Sequence, residues 1–317
     1  MLRFSKVPIV ALAGFLLIFP LVCASISALH GYISLMVFAG IYCLITIGLS
    51  LLMGYAGQIS LGHAAFFGIG AYVSGIATVR FGVNPWLCMA GGMLVAAIVA
   101  ALIGAPSFRL KGHYLAMATL AFGLIVNIVF REESSWTGGP DGLSRIPGLR
   151  LSGFMFNSTT RFYYLVWGIV LAAFLFAINV LQSPAGRALR ALHTSETAAK
   201  SMGIDIARYK VMIFVFSAVL ASLAGSLYAH FMRFINPSTF NLLFSIKLLI
   251  MITLGGMQSL WGAIVGTVLV TFLSMEWLQF FQEYESIVFG GILLLVLIFL
   301  PEGLTGLPDM LAGRGKK

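Results

Sequence analysis

The chain has very few charged residues for its length. Asp, Glu, Lys and Arg make up only 9% of the 317 residues, and Asp and Glu together number 10. A soluble domain carries about 25% charged residues, which it uses to cover its surface. The scarcity excludes the soluble, disordered and collagen-like classes and points to an integral membrane protein. The net charge of +9 does not indicate nucleic-acid binding, because basic residues also collect on the cytoplasmic side of membrane proteins.

The sequence also lacks the usual spacings for metal, nucleotide and disulfide chemistry. Its three cysteines, an odd number, lie in apolar runs at Cys23, Cys43 and Cys88. No Cys-x-x-Cys, His-Glu-x-x-His or Gly-x-x-x-x-Gly-Lys-Ser/Thr pattern occurs, so we predict no metal, no cofactor and no catalytic residues. Acidic residues are almost absent from the apolar runs, which weakens an ion-coupled carrier as an interpretation.

Apolar runs are abundant, with 60% hydrophobic residues and a mean hydropathy of +1.02. A bilayer core requires roughly 20 consecutive helical residues. Runs of this kind predict an all-α, polytopic transmembrane bundle of about ten spans in a single domain, residues 1–317. The predicted spans, of which the eighth and tenth are short, are 7–28, 32–53, 62–79, 85–105, 113–130, 162–181, 210–231, 241–256, 259–275 and 287–300.

Charge distribution predicts that both termini are cytoplasmic. With this orientation, 12 of the 19 Lys and Arg residues face the cytoplasm, including Arg109, Lys111 and the C-terminal tail. The N-terminus, with Arg3 and Lys6 before an apolar stretch, also resembles a signal peptide. Because that stretch is long and a second span follows at once, we expect a retained first helix.

Two Gly-rich segments interrupt the apolar runs. The first spans residues 54–63 and contains Gly54, Tyr55, Gly57, Gln58, Ser60, Gly62 and His63. The second contains Gly255, Gly256 and Ser259. Residues 256–263 are identical to residues 57–64 at four of eight positions, and this similarity reflects either an ancestral repeat or chance. Broken backbone at membrane depth is tolerated where it lines a wet cavity. The segments are therefore either parts of a transport pathway or short loops followed by packing helices, and His63 is either a structural histidine or a proton carrier.

Two segments outside the spans carry their own patterns. The predicted external loop, residues 131–161, contains the turn residues Gly138, Gly139, Pro140, Asp141 and Gly142, typical of a docking surface or of a tight connection. The largest predicted cytoplasmic segment, residues 182–209, favours an amphipathic helix that begins at Pro184, is capped by Ser183 and ends at Gly203. We expect Leu189, Leu192, Ala199 and Met202 on one face, an ion pair between Glu196 and Lys200, and Asp205 as the cap of the next span.

The Gly-rich block from Gly54 to Tyr72 resembles the signature of permease subunits of bacterial branched-chain amino-acid ABC importers, specifically the LivM type. The resemblance covers nearly the whole chain from about residue 32 onward. Further similar stretches are Leu115 to Gly123, Thr137 to Gly142, Gly186 to Lys210, Gly225 to His230, Leu254 to Gly262 and Pro301 to Leu304.

The resemblance implies a transport subunit in the bacterial inner membrane with partners that supply the ATPase. These partners are a homologous second permease, two cytoplasmic ABC ATPase subunits and an external solute-binding protein, in addition to membrane lipid. The segment from Arg187 to Gly203 then corresponds to the coupling helix, with Arg187, Arg190, Leu192, Glu196, Ala199 and Gly203 as its contact residues. The expected cargo is a branched-chain amino acid; urea, short amides and aromatic acids remain alternatives, as does a secondary carrier or channel.

Overall fold

The computed structural model describes residues 6–25, 30–108, 114–151, 154–277, 285–300 and 303–306. The basic residues predicted at Arg3, Arg109, Lys111 and in the C-terminal tail lie outside these ranges, as do Pro301 and Glu302. The described helices are α1 (Lys6–Ser25), α2 (His30–Leu49), α3 (His63–Phe81), α4 (Pro85–Ser107), α5 (Tyr114–Glu132), α6 (Ser134–Thr137), α7 (Thr159–Gln182), α8 (Pro184–Thr194), α9 (Glu196–Ser201), α10 (Ile206–Met232), α11 (Leu242–Gly255), α12 (Leu260–Phe272) and α13 (Glu285–Phe299). Four short strands accompany them: β1 (Leu143–Ser144), β2 (Arg150–Leu151), β3 (Phe154–Met155) and β4 (Phe234–Ile235).

The fold is all-α, and several helices are long and apolar enough to cross a membrane. Six helices of the described part meet that condition, and they are Gly31–Tyr55, His63–Phe81, Pro85–Ser107, Tyr114–Glu132, Thr159–Gln182 and Ile206–Met232. Three further apolar helices, Ala11–Cys23, Leu242–Gly255 and Leu260–Glu276, are shorter. The prediction of about ten spans is therefore confirmed in its class, a polytopic helical bundle, while the number ten stays a prediction.

The centre of the bundle is the parallel pair α3 and α10. A Cβ at Gly225 of α10 would lie 1.8 Å from the carbonyl oxygen of Phe67, and one at Gly70 of α3 would lie 1.9 Å from that of Ser222. Ser226 Oγ donates a hydrogen bond of 3.0 Å to the carbonyl of Gly70. Small residues permit this close backbone approach, which supplies van der Waals contact where lipid provides no hydrophobic driving force between helices.

The connections between helices collect at two opposite ends of the bundle. One end, which we call the α8 end, carries α8, α9, the α2–α3 connection and the α11–α12 connection. The other, which we call the loop end, carries β1 to β4, with Leu143 paired to Ile235 and Arg150 paired to Met155. The predicted external loop and the predicted cytoplasmic segment therefore lie at opposite ends, separated by the single helix α7.

Candidate transport and coupling site

The α2–α3 connection is the first of the two Gly-rich segments. The end of α2 continues as a π-helical stretch, Ser50–Tyr55, and α3 begins at His63. Gly57 between them has a φ of 64°, in the left-handed region that favours glycine. The imidazole of His193 in α8 lies against it, with Cδ2 3.3 Å from the position that a Cβ on Gly57 would take. The segment is therefore a connection at the α8 end and does not interrupt a helix in its middle.

Polar groups of this connection are hydrogen-bonded within the chain. Ser60 Oγ shares a hydrogen bond of 3.1 Å with His63 Nδ1, and His63 Nε2 shares one of 2.7 Å with Ser217 Oγ of α10. Ser60 and His63 are both buried. Gln58 is half-buried, and its side-chain amide donates to the carbonyl of Ala56 at 3.1 Å. Of these three predicted pathway side chains, that of Gln58 alone is partly exposed in this structure.

The start of α3 is anchored on α5. The backbone amide of Leu61 donates a hydrogen bond of 3.1 Å to Thr119 Oγ1. A Cβ at Gly62 would lie 2.7 Å from the Thr119 carbonyl oxygen, so only glycine permits this approach. Tyr55, at the other end of the connection, is half-buried and lies within electrostatic range of Arg190 in α8. The connection is thus held between α5 and α8.

The α11–α12 connection is the second Gly-rich segment and has a similar construction. Gly256 has a φ of 115°, and α12 begins after Ser259, whose hydroxyl accepts a hydrogen bond of 3.1 Å from the amide of Gly262. A Cβ at Gly255 would lie 1.8 Å from the Gly262 carbonyl oxygen. The backbones of α11 and α12 consequently touch where the chain turns.

The structure brings the two Gly-rich segments into direct contact. A Cβ at Gly54 would lie 1.8 Å from the carbonyl oxygen of Met257, and Ser50 Oγ donates to that same oxygen at 3.0 Å. On its other side, the second connection is covered by Gly303, whose Cβ position is 2.4 Å from the amide nitrogen of Gly256. Residues that are about 200 positions apart in the chain therefore form one layer of backbone at the α8 end.

The predicted cytoplasmic helix is two helices in the structure. It begins at Pro184 and stops before Gly203, which has a φ of 78°, as predicted. The prediction of one continuous helix is wrong, because Ser195 takes an extended conformation with φ −160° and ψ 114°. Its hydroxyl accepts a hydrogen bond of 3.3 Å from the amide of Ala198. A serine that caps a new helix in this way competes with continuation of the previous one.

Of three expected side-chain interactions of this segment, two differ in the structure and one is present. Glu196 forms its ion pair with Lys210 of α10, at 2.6 Å, and not with Lys200 of its own helix. Ser183 precedes α8, but its hydroxyl donates to the carbonyl of Val180 at 2.7 Å and does not cap α8. In both cases the partner found in the structure lies outside the helix in question. Asp205 does cap α10, accepting from the amide of Arg208 at 3.1 Å as predicted.

The faces of α8 and α9 divide into a buried and an exposed set. Of the residues expected on one face, Leu189, Leu192 and Ala199 are buried, but Met202 is 78% exposed, because the chain leaves the helix at Gly203. Leu192 and Ala199 thus lack the surface to contact another protein directly. The predicted contact residues that are exposed are Arg187, Arg190, Glu196 and Gly203.

The turn residues of the loop end form a rigid corner. Gly138, Gly139 and Gly142 all have positive φ, at 82°, 58° and 76°. A Cβ at Gly142 would lie 2.3 Å from the Ile235 carbonyl oxygen, so the corner is packed against the segment that follows α10. The three glycines shape the backbone, and the side chains presented to the outside are Pro140 and Asp141.

Sequence reasoning did not identify four residues that hold this site together. They are Thr119, His193, Lys210 and Ser217, each a partner of a residue that the sequence did single out. Lys210 carried a usable signal, because a lysine within an apolar run needs an anionic partner. Among the described residues there is no group of three His, Cys, Asp or Glu side chains that could hold a metal ion.

Comparison with known proteins agrees with this architecture. The family model described as "Branched-chain amino acid transport system / permease component" matches residues 31–297. The chain is 35% identical to the high-affinity branched-chain amino acid transport system permease protein LivM of Salmonella typhimurium, over 87% of this chain and 70% of that protein. It is 34% identical to LivM of Escherichia coli over the same shares, and 29% identical to the permease protein LivH of Escherichia coli, over 85% of this chain and 92% of LivH. No solved structure matches.

These matches agree with the bundle of apolar helices described above. The match to the family model covers most of the chain, and the two LivM proteins named above are more similar to the chain, at 34–35% identity, than LivH of Escherichia coli, at 29%. The chain therefore belongs to the family of permease components of branched-chain amino acid transport systems and is a multi-pass membrane protein of the LivM type.

Proposed function

We propose that this chain is the membrane-spanning permease subunit of an ATP-driven importer that carries branched-chain amino acids across the bacterial inner membrane. The names of its relatives support the cargo, and the LivH relatives support a homologous second permease as partner. In this proposal ten spans place both termini and the α8 end in the cytoplasm. Two ATPase subunits then bind at the α8 end, and a solute-binding protein docks at the loop end.

The observation that carries this proposal is the placement of α8 and α9. They present an exposed polar surface, including Arg187, Glu196 and Lys200, at the end where the two Gly-rich connections meet. A partner bound there acts directly on the layer of backbone that closes this end. Such a partner shifts the equilibrium between two conformations only by the difference in its contact free energy with each.

The transport pathway is proposed to pass beside this layer of backbone. Its lining in this chain comprises Gly54, Tyr55, Gly57, Gln58, Ser60, Gly62, His63, Gly255, Gly256 and Ser259. In the present conformation Gln58 is the accessible polar side chain among the first segment's Gln58, Ser60 and His63. Exposure of the buried pair therefore requires that the α2–α3 connection move relative to α10.

Docking of a solute-binding protein is proposed at the rigid corner of the loop end. Pro140 and Asp141 project from a backbone that the neighbouring positive-φ glycines hold in one shape. A preformed surface binds with less loss of conformational entropy than a flexible loop. Replacement of Asp141 by Lys should weaken binding-protein-dependent uptake without lowering the amount of assembled complex.

The proposed function is tested by affinity purification in mild detergent followed by reconstitution into vesicles. We expect two ATPases and a second permease to co-purify, and uptake of leucine, isoleucine or valine to require ATP and the binding protein. Uptake that persists without the ATPases or follows an ion gradient would instead identify a channel or secondary carrier. ATP-driven uptake of urea, amides or aromatic acids in place of aliphatic amino acids would support the proposed mechanism and show that the proposed cargo is wrong.

A further inference from the structure

One face of α8 packs against the bundle through the buried residues Gly186 and Leu189, and at its edge Arg190 and His193 stay exposed. A Cβ at Gly186 would lie 2.2 Å from the Leu181 carbonyl oxygen, and the Arg190 guanidinium donates to that same oxygen at 3.1 Å. Leu189 between them is fully buried. His193 follows Arg190 by three residues, so it extends the same face by one helical turn. This face ends on the α2–α3 connection.

The imidazole of His193 lies beside that connection, at a point where His193 and Gly57 are both exposed. Its ring carbons Cδ2 and Cγ lie 3.3 Å and 3.9 Å from the Cβ position of Gly57. Gly57 has no side chain that could turn aside, and its positive φ makes the local backbone a fixed shape. A displacement of α8 toward the bundle therefore presses on backbone atoms and not on a flexible side chain.

The contact continues beyond Gly57 through backbone. Three residues earlier, the Cβ position of Gly54 is 1.8 Å from the carbonyl oxygen of Met257, in the α11–α12 connection. Ser50 Oγ also donates to that oxygen at 3.0 Å. Both Gly-rich connections are thus in reach of α8 through the side chain of His193, beside the Arg190–Tyr55 approach, and then through close backbone contacts.

We propose that His193 is the positioning residue through which movement of α8 displaces the α2–α3 connection and, with it, the α11–α12 connection. This rests on the proposed function, in that the movement of α8 is supplied by the ATPase subunits. His193 acts on the backbone at Gly57 and has no role in binding the ATPases. The neighbouring Arg190 is a brace for the end of α7 and holds α8 in place for this contact.

The test compares His193→Ala with His193→Phe and Thr194→Ala in the reconstituted complete transporter. Phenylalanine keeps ring carbons at the positions that touch Gly57, whereas alanine removes them. Thr194 is exposed, and its hydroxyl bonds only the carbonyl of Arg190 within α8, so it is a matched control. The quantities measured are the amino acid imported per ATP hydrolysed, the amount of ATPase that co-purifies, and the melting temperature.

We expect His193→Ala to retain ATPase binding and melting temperature while the import per ATP falls roughly fivefold or more, the lower end of typical coupling effects. His193→Phe should restore most of the ratio, and Thr194→Ala should not change it. An unchanged ratio in His193→Ala overturns the inference, as does a loss of ATPase binding, which would make His193 a docking residue. If the unsubstituted protein shows no ATP-driven import, the proposed function itself fails, whatever the variants do.

Discussion

At the scale of single residues, two histidine–serine hydrogen bonds connect α3 and α10, and each helix supplies the histidine of one bond and the serine of the other. His63 of α3 bonds Ser217 of α10, and His230 of α10 bonds Ser74 of α3 at 2.8 Å. His230 Nδ1 also donates to the carbonyl of Pro147 at 2.7 Å, so Nε2 is the acceptor for the Ser74 hydroxyl. Both imidazoles are buried, which supports the structural interpretation of His63 over that of a proton carrier.

Removal of one of these hydroxyls should lower stability. We expect Ser217→Ala to reduce the free energy of unfolding by roughly 0.5–2 kcal/mol, because it leaves a buried His63 nitrogen without its partner. The matched control is Ser222→Ala on the same helix. Among the described residues Ser222 Oγ is buried without a hydrogen-bond partner, so its loss should be neutral or stabilising. Unfolding in detergent measures both, and equal effects would contradict the prediction.

Glycines at the α3–α10 contact should be far less replaceable than glycines elsewhere in the spans. Gly225→Ala would place a Cβ 1.8 Å from the Phe67 carbonyl oxygen and should cost about 2 kcal/mol or more, because the helices must separate. Gly168→Ala in α7 is the control, since no atom of another helix or loop in the described part of the chain lies within 4 Å of its Cβ position. Melting temperature and yield in detergent are the readouts, and a drop of similar size in both variants would refute this explanation.

At the scale of elements, an ion pair between Glu196 and Lys210 ties α9 to the bundle, beside the buried side chain of Ala199. Lys210 is 6% exposed and Glu196 is 52% exposed, so the cation is buried and depends on the carboxylate for its compensation. The turn at Ser195 aims α9 back toward the start of α10, which makes this long-range pair possible. The pair thereby determines the direction in which the exposed surface of α9 faces.

Loss of the carboxylate should release α9 from the bundle. We expect Glu196→Gln to destabilise the attachment by roughly 1–3 kcal/mol, between the values for exposed and for buried ion pairs. Hydrogen exchange of amides 196–203 should accelerate accordingly. Lys200→Gln, which alters an exposed lysine of the same helix, should leave exchange unchanged. Addition of Lys210→Met to Glu196→Gln should restore part of the protection, and no recovery would argue against a buried charge as the cause.

At the scale of the whole molecule, the direction of the helices determines which ends share a side of the membrane. α7 alone separates the corner at Asp141 from α8 and α9. Contacts between helices fix their relative directions: α2 runs antiparallel to α12, with Thr46 bonded to Thr267 and Ser50 bonded to Met257. The predicted orientation then requires Asp141 outside and α9 in the cytoplasm.

Cysteine labelling tests this orientation. A membrane-impermeant maleimide should label Asp141→Cys in intact right-side-out vesicles, and Thr197→Cys only after permeabilisation, because both positions are exposed at opposite ends. Labelling of both positions from the same side would mean that α7 does not cross the membrane. Labelling of Thr197→Cys in intact vesicles and of Asp141→Cys only after permeabilisation would mean that the orientation of the chain is the reverse of the predicted one. The unsubstituted chain is the control for background, since its three cysteines are buried.

Local physics of the chain was sufficient to predict the class and many of the helix boundaries. The scarcity of charge and the long apolar runs predicted a helical membrane protein, because an unpaired backbone is excluded from lipid. The start at Pro184, the end before Gly203 and the cap at Asp205 were also predictable. Each depends on one residue and its immediate neighbours, so no knowledge of the rest of the fold is needed.

Contacts between distant segments were decided by the tertiary structure alone. The pairing of Glu196 with Lys210, the meeting of Gly54 with Met257 and the position of His193 on Gly57 all depend on how each helix is rotated and shifted along its neighbours. In a soluble protein an apolar stripe would indicate that rotation. Here the lipid-facing side of a span is as apolar as the packed side, so hydropathy indicates that a helix crosses the membrane but not how it is rotated about its axis. Close backbone packing and a few buried polar hydrogen bonds determine that rotation.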